Sequence, residues 1–574
     1  MNPLITEKNI IHLSELHAFN EEEYTDEYSL SLAKEMLDKE QENSPFSHLA
    51  FEEDTWELYI ESQGSSRKIK FEEVAKLVRF HPQFDETKFV LIVKCWVASL
   101  IHQFSINYAD SMFRYLVQFL DLSKMLDSSK LQEVELVLTK KTSKRIQYDM
   151  ALSTLNFIEY YPFLDKESRY GPLLFDIKEA NHVSKRDDAQ RDLPPTKEVH
   201  LFHWIMRDYF KGLDRNSEEY LLYFPIYLWW NLTMLIPLRP CEFCTIKRNA
   251  LIEKDHQYYI KLPREKQPKN RVQVVDKIKI PFQMAKEILH YQNRIRDFYP
   301  AKTLLHPSLV KTKKDKLGYT TTRHLYLLQL FYRDVVGGKY GLTMLLDKKR
   351  NIPVSDTREK PLVDITKPIA TGDTRHFSML NLMRQGYHPL EIARLAGHTS
   401  IYSQQGYYSH LEYWVDTEVL QLMERLSADL ESSETVDFDD DDFKTQFIFN
   451  TGASLDKIPL DLGYCTDPTQ NCPVEDHFAC PHYRLTEYEY MNRQAEIEEA
   501  YKRSNTHIKH LLSVLTNLQK IAQKHTDTDY EFSDNDVLYN KDLIEIKKQL
   551  DVALHWHSRV QHHFTHSKKY KKKR

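Results

Sequence analysis

The chain has 574 residues, 28% of them charged and 41% hydrophobic, which fits a soluble multidomain globular protein and argues against a disordered or fibrous one. Its 13 glycines, with no GxGxxG or GxxxxGK[ST] among them, argue against a nucleotide-cofactor enzyme. A formal charge of −6, taken alone, speaks against a nucleic-acid binder.

In chain order, residues 1–79 form an acidic N-terminal region, with 15 acidic and 3 basic side chains in residues 1–60. MNPLITEKNIIHLSEL lacks the basic-then-apolar order of a secretory signal, so the chain is expected in the cytoplasm. Residues 80–185 read as a helical domain, because KCWVASLIHQF and SMFRYLVQFLDL space apolar residues by three and four. The polar stretch Lys185–Thr196, ending in Pro194 and Pro195, marks a boundary. Residues 190–426 follow, and within 191–426 there are 37 basic and 25 acidic side chains. Charge is therefore segregated, and the basic middle suggests an anionic partner. Leu221–Leu238 is apolar but interrupted by Pro225, Asn231, Thr233 and Pro237, so it predicts a buried core helix and not a membrane span. Strands are few; Tyr258–Leu262 and Val272–Ile280 predict a hairpin around a lysine-rich turn. Residues 427–462, with 10 acidic and 2 basic side chains, read as a self-repelling linker. Residues 463–484 hold a cysteine cluster, and residues 485–574 predict a helical, coiled-coil-like region with a basic tail. The fold expected is mostly α with a small β-hairpin or sheet, an α+β multidomain chain.

Two stretches carry chemistry. One is Leu238-Arg239-Pro240-Cys241-Glu242, at the end of the apolar helix. The other runs from Gly372 to His410: Arg375 opens a helix that closes near Gly386, Pro389 starts the next, Gly397 stops it, and His398 follows at once. Tyr407 and Tyr408 come about ten residues later. Paired guanidinium forks match phosphate oxygens, histidine adds a donor, a hairpin lysine can reach a leaving oxygen, and tyrosine is a possible nucleophile. If the arginines stabilise the developing charge, no metal is needed, and the chemistry suited is phosphodiester transesterification.

These stretches resemble the tyrosine recombinase (phage integrase) family. Leu238–Glu242 is similar to its LRxxE motif, Gly372–His376 to HxLRH, Leu395–His398 to LGH, and Tyr408–His410 to its YxH ending. The resemblance covers about residues 195–415 and extends more weakly to 80–180. It implies an integrase-like catalytic domain, a helical core-binding domain that clamps double-stranded DNA, and catalytic roles for Arg239, Arg375, His398 and Tyr408. Tyr407 is the alternative nucleophile, fitting a nine-residue step from His398. The family's hairpin lysine is answered by Lys266, with Lys269 as the alternative. Glu242 is expected to orient Arg239 or cap the helix. Gly372 stands where the family has a histidine that handles protons, and His376 or His398 are the candidate substitutes. The implied activity is site-specific recombination for a mobile element through a 3′-phosphotyrosyl bond, without a high-energy cofactor. It implies self-association on DNA, partner recombinases or accessory proteins, no membrane, and a place at the bacterial nucleoid. A non-cutting DNA-binding subunit of a multi-recombinase system is the alternative.

Cys465, Cys472, His477 and Cys480 follow the spacing C-x6-C-x4-H-x2-C, which suggests a closed structural zinc site, with His482 competing for the fourth place. The segment is similar to a cysteine-rich stretch that follows the catalytic domain in some transposon-borne tyrosine recombinases.

Overall fold

A computed structural model describes residues 27–574 except 45, 61, 166–168, 183–191, 264–275, 299–300, 308–317, 346–362, 399–400, 433–457, 466–475, 481, 526–533 and 572–574. The chain is mostly helical with small antiparallel sheets, and it divides into two units, Met1–Arg191 and Asp192–Arg574.

The first unit opens with α1 (Glu27–Asn43) and an antiparallel pair, β1 (Thr55–Ile60) and β2 (Ser65–Lys70). Helices α2 (Glu72–Arg79), α3 (Glu86–Gln103), α4 (Ile106–Ser123), α5 (Leu131–Lys141), α6 (Lys144–Tyr160) and α7 (Tyr170–His182) follow. The β pair was not foreseen. Its register sets Trp56 opposite Ile69, and both side chains are fully buried. Trp56 meets Phe71 edge-on at 4.7 Å between ring centres, and Phe71 meets Phe113 of α4 at 5.6 Å. Residues 27–79 thus share one core with the helices after residue 80, and the boundary expected at residue 79 is absent. The reason is apolar area: the face made by Trp56, Leu58, Ile69 and Phe71 is too large to leave in water.

In the second unit, α8 (Thr196–Gly212) precedes α9 (Glu218–Leu235), the apolar segment expected to be a core helix. Ser217 caps α9 by accepting from the Tyr220 N–H at 3.0 Å, and Trp229, Trp230 and Leu232 are buried. Among the described residues no helix is long and apolar enough to cross a membrane. A short helix α10 (Pro240–Cys244) leads to a three-stranded antiparallel sheet, β3 (Leu251–Lys254), β4 (Gln257–Lys261) and β5 (Lys277–Ile280), ordered β3-β4-β5. The expected hairpin is therefore the outer part of a sheet with one more strand. Tyr258 pairs with Ile280, and residues 272–275 lie outside the described residues.

Helices α11 (Phe282–Arg294) and α12 (Thr321–Phe331) follow, then α13 (Asp373–Arg384) and α14 (Pro389–Ala396). Gly397 ends α14 at φ 66°, the left-handed conformation glycine adopts without strain. Residues 401–410 wind as tight 3₁₀ turns into α15 (Leu411–Ser432), which runs past the expected boundary at residue 426. The acidic run Asp437–Asp442 lies outside the described residues. Three two-residue strands, β6 (Ile458–Pro459), β7 (Tyr464–Cys465) and β8 (Tyr483–Arg484), form a small sheet. After α16 (Glu487–Asn492) come two long helices, α17 (Gln494–His525) and α18 (Asp534–Lys571). The amphipathic helix expected to seek a partner finds α18 of its own chain. Ile508, Leu511, Leu512 and Leu515 of α17, with Leu543, Leu550 and Leu554 of α18, join the same core as Phe377 and Leu380 of α13. Helices 485–574 are therefore part of the second unit and not an independent region.

Candidate active site

The two arginine stretches meet because α9 and α13 are bolted together. Thr233 donates to the Trp229 carbonyl at 2.6 Å and bonds the Thr374 hydroxyl at 2.7 Å, while Trp229 Nε1 donates to the Thr371 carbonyl at 3.3 Å. Arg375 directly follows Thr374, and Arg239 lies six residues after Thr233, just past the end of α9.

Glu242 organises both guanidiniums. Pro240 fills the first position of α10, where an N–H would be unpaired in any case. Glu242 Oε2 accepts the Arg239 backbone N–H at 2.8 Å, and Oε1 accepts Arg239 Nη1 at 2.8 Å. Arg375 Nη1 lies 3.8 Å from Glu242 Oε2. The Glu242 side chain is fully buried, so it both caps the helix and orients the arginine. The turn that stops α14 supplies the remaining anchors. Arg239 Nη2 donates to the Gly397 carbonyl at 3.1 Å, Arg375 Nη2 donates to the Ala396 carbonyl at 2.8 Å, and Arg375 Nη1 donates to the Pro237 carbonyl.

Two guanidiniums around one carboxylate leave a net positive charge. Burial and the neighbouring Arg239 push the Arg375 pKa down, which measures how poorly the site tolerates its own charge. Arg239 keeps 29% of its side chain exposed, so the site is reached from solvent. An open, partly desolvated fork with excess positive charge matches a phosphodiester monoanion.

Tyrosine is where the structure departs from expectation. Tyr407 lies close enough to Arg375 for its phenol to favour the charged guanidinium. Its ring lies 4.4 Å from the His376 ring and 6.5 Å from the His398 ring, between centroids. His376 Nε2 in turn bonds His410 Nδ1 at 2.9 Å. Tyr408 turns the other way, into the apolar core, at 8% exposure. Its hydroxyl has no hydrogen-bond partner among the described residues, burial pushes its pKa up, and Lys520 Nζ lies 5.7 Å above its ring. Arg239, Arg375, His398 and Tyr407 are brought together; Tyr408 is not. The nine-residue step from His398 was the signal for Tyr407, and the YxH pattern was the signal against it.

Gly372 caps α13 without a side chain, and His376, one turn on, faces Tyr407. His410, to which the sequence gave no role, sits behind His376, and burial pushes its pKa down. Lys266 and Lys269 lie outside the described residues.

At the cysteine cluster, Cys465 on β7 pairs with Tyr483 on β8, and both Cys465 and Cys480 are buried. The Cys480 N–H donates to the His477 carbonyl at 3.0 Å, and the His482 N–H donates to Cys480 Sγ at 3.4 Å. Both thiols lie near Arg484, where a negative sulfur would offset the burial that lowers the arginine pKa. Cys472 lies outside the described residues, and among the described residues no three His, Cys, Asp or Glu side chains converge as a metal site. Two thiols beside a cation suit thiolate chemistry but are half of a tetrahedral donor set. Comparison with known proteins returns no matching family model and no matching curated protein.

Proposed function

We propose that this chain cuts and rejoins double-stranded DNA at specific sites of a mobile element, in the manner of the tyrosine recombinases it resembles. The observation that carries the reading is the pair Arg239 and Arg375 on buried Glu242, with Tyr407 near Arg375 and packed on His376: a phenol beside a guanidinium fork with charge to spare. Arg239 and Arg375 hold the scissile phosphate and stabilise its extra negative charge in the transition state. The phenol oxygen of Tyr407 attacks phosphorus, a 3′-phosphotyrosyl bond forms, and the bond to the 5′-oxygen breaks. His376 and His398 flank the tyrosine ring and are the acceptors for its proton. Lys266 is proposed to return a proton to the leaving 5′-oxygen. A 5′-hydroxyl from a second strand then reverses the step, so the phosphoester energy is conserved and no nucleotide is consumed. Exchange between duplexes calls for several protomers on DNA and leaves room for partner recombinases or accessory proteins.

Covalent capture tests this without knowing the site. Full-length protein is incubated with a pool of nicked duplexes of randomised sequence, and SDS-resistant protein–DNA adducts are collected. Wild type and Tyr408→Phe are expected to form adducts, and Tyr407→Phe none. Adducts from Tyr407→Phe but not from Tyr408→Phe would return the nucleophile to Tyr408. Retained DNA without any adduct would favour the non-cutting DNA-binding subunit, a reading that the side-chain-free Gly372 keeps in play.

We also propose a structural zinc held by Cys465, Cys472 and Cys480 with His477 or His482, cross-linking the small sheet and taking no part in the chemistry. Metal analysis of purified protein is expected to find one zinc per chain and its loss in Cys465→Ser; zinc-free wild type would refute the site.

A further inference from the structure

Nothing in the sequence linked the C-terminal helices to the tyrosine segment, yet α17 holds it directly. Gln523 Nε2 donates to the Ile401 carbonyl at 2.6 Å, where the 3₁₀ segment begins. One turn earlier, Gln519 Nε2 donates to the Met383 carbonyl at 2.9 Å, at the end of the helix that carries Arg375. Both side chains are buried, at 2% and 0% exposure. Lys520, between them, stands over the ring of Tyr408. A third buried glutamine, Gln404, ties the segment to the Pro389 carbonyl at 2.6 Å.

An apolar helix face would dock α17 by itself, and Leu511, Leu512 and Leu515 already provide one. Burying two amides in that interface costs desolvation unless each meets a partner of fixed position. Hydrophobic contact is non-directional and tolerates sliding, whereas a hydrogen bond to a chosen carbonyl sets register. Register matters here more than anywhere else in the fold. Tyr407 and Tyr408 are neighbours on tightly wound backbone, so a rotation of about 120° exchanges which one faces the arginines.

We infer that Gln519 and Gln523 of α17 are positioning residues, which lock the 401–410 segment in the register that presents Tyr407 to Arg375. The inference deepens the recombinase reading and rests on it for its catalytic consequence. Helix α17 is then a clasp supplied by the same chain: DNA cleavage depends on whether it is seated, and binding of DNA does not.

The test compares full-length wild type, Gln523→Met, and Leu515→Ala. Methionine keeps the length of glutamine and removes the donor; Leu515→Ala weakens the same interface without touching either amide. Three quantities are measured below the unfolding temperature: amide hydrogen exchange across 401–410, retention of the randomised nicked duplexes, and the rate of SDS-resistant adduct formation. Gln523→Met is expected to exchange faster across 401–410 and to retain DNA like wild type. Its adduct formation is expected to slow by tenfold or more, in line with the sensitivity of attack to misplaced groups, which reaches on the order of a hundredfold. Leu515→Ala is expected to melt earlier while cleaving at the wild-type rate. Unchanged exchange in Gln523→Met overturns the inference, as does faster exchange with an unchanged adduct rate. Wild type that forms no adduct overturns the recombinase reading instead, and the exchange comparison still decides whether Gln523 sets the register.

Discussion

At the scale of single residues, Glu242 carries more than its neighbours. Its carboxylate lies between two guanidiniums, is fully buried, and caps α10 by accepting the Arg239 main-chain N–H. Removing one partner of a buried charge cluster leaves the others uncompensated, which costs about 3–5 kcal/mol. Glu242→Ala is therefore expected to lower the free energy of unfolding of the second unit by about that amount in urea titrations. A loss under about 1 kcal/mol would mean that water reaches the two arginines freely. The residue identities around this site were legible in the sequence: the arginines, the glutamate at the third helical position and the left-handed glycine are all local signals. The choice of tyrosine was not, because a two-residue pattern says nothing of which side of a helix faces the core.

At the scale of elements, the meeting of α13 with α18 depends on Gly386. Its φ is +73°, and a Cβ there would lie 2.7 Å from the Leu543 carbonyl oxygen of α18. Alanine is strained at that φ and has no room, so Gly386→Ala is expected to destabilise the protein by about 1–3 kcal/mol. Gly212 is the control: nothing lies within 4 Å of the Cβ it lacks. Gly212→Ala is expected to leave the urea midpoint within experimental scatter, and equal losses for the two variants would argue against the close approach. The sequence foresaw the helix ends at Gly386 and Gly397 from punctuation alone. It did not foresee β1, β2 or β3, since strands of four to six residues are too short for their alternation to stand out from the surrounding chain.

At the scale of the whole molecule, the ionisation of buried histidines ties stability to pH. Burial pushes His324 and His563 down to about 3 and His557 to about 4. Unfolded, each titrates near its ordinary value of about 6.5. Between those values the unfolded chain binds protons that the native chain does not, so these groups make stability rise with pH and fall as pH drops below about 6.5. Glu418, raised by burial, works in the opposite direction, so the contribution is best read as a difference. His563→Gln is expected to flatten the slope of unfolding free energy against pH, between pH 5 and 6.5, by up to about 1.4 kcal/mol per unit. Identical slopes would mean that His563 is protonated in the native state despite its burial against Tyr490.

Charge segregation, the helical character, the place of the polar boundary before Pro194 and Pro195, and the set of arginine, histidine and tyrosine candidates are properties of local sequence. They are written in composition and spacing, which the chain carries whether folded or not. The tertiary structure alone decided three further matters. It merged residues 27–79 with the helices that follow, because their apolar faces complete one another. It paired α17 with α18 and laid both on the core that carries the two arginines, through contacts more than a hundred residues apart in sequence. It turned Tyr407 toward Arg375 and Tyr408 into the core, because adjacent residues on a wound segment point in different directions, and only the surfaces packed around that segment fix its rotation.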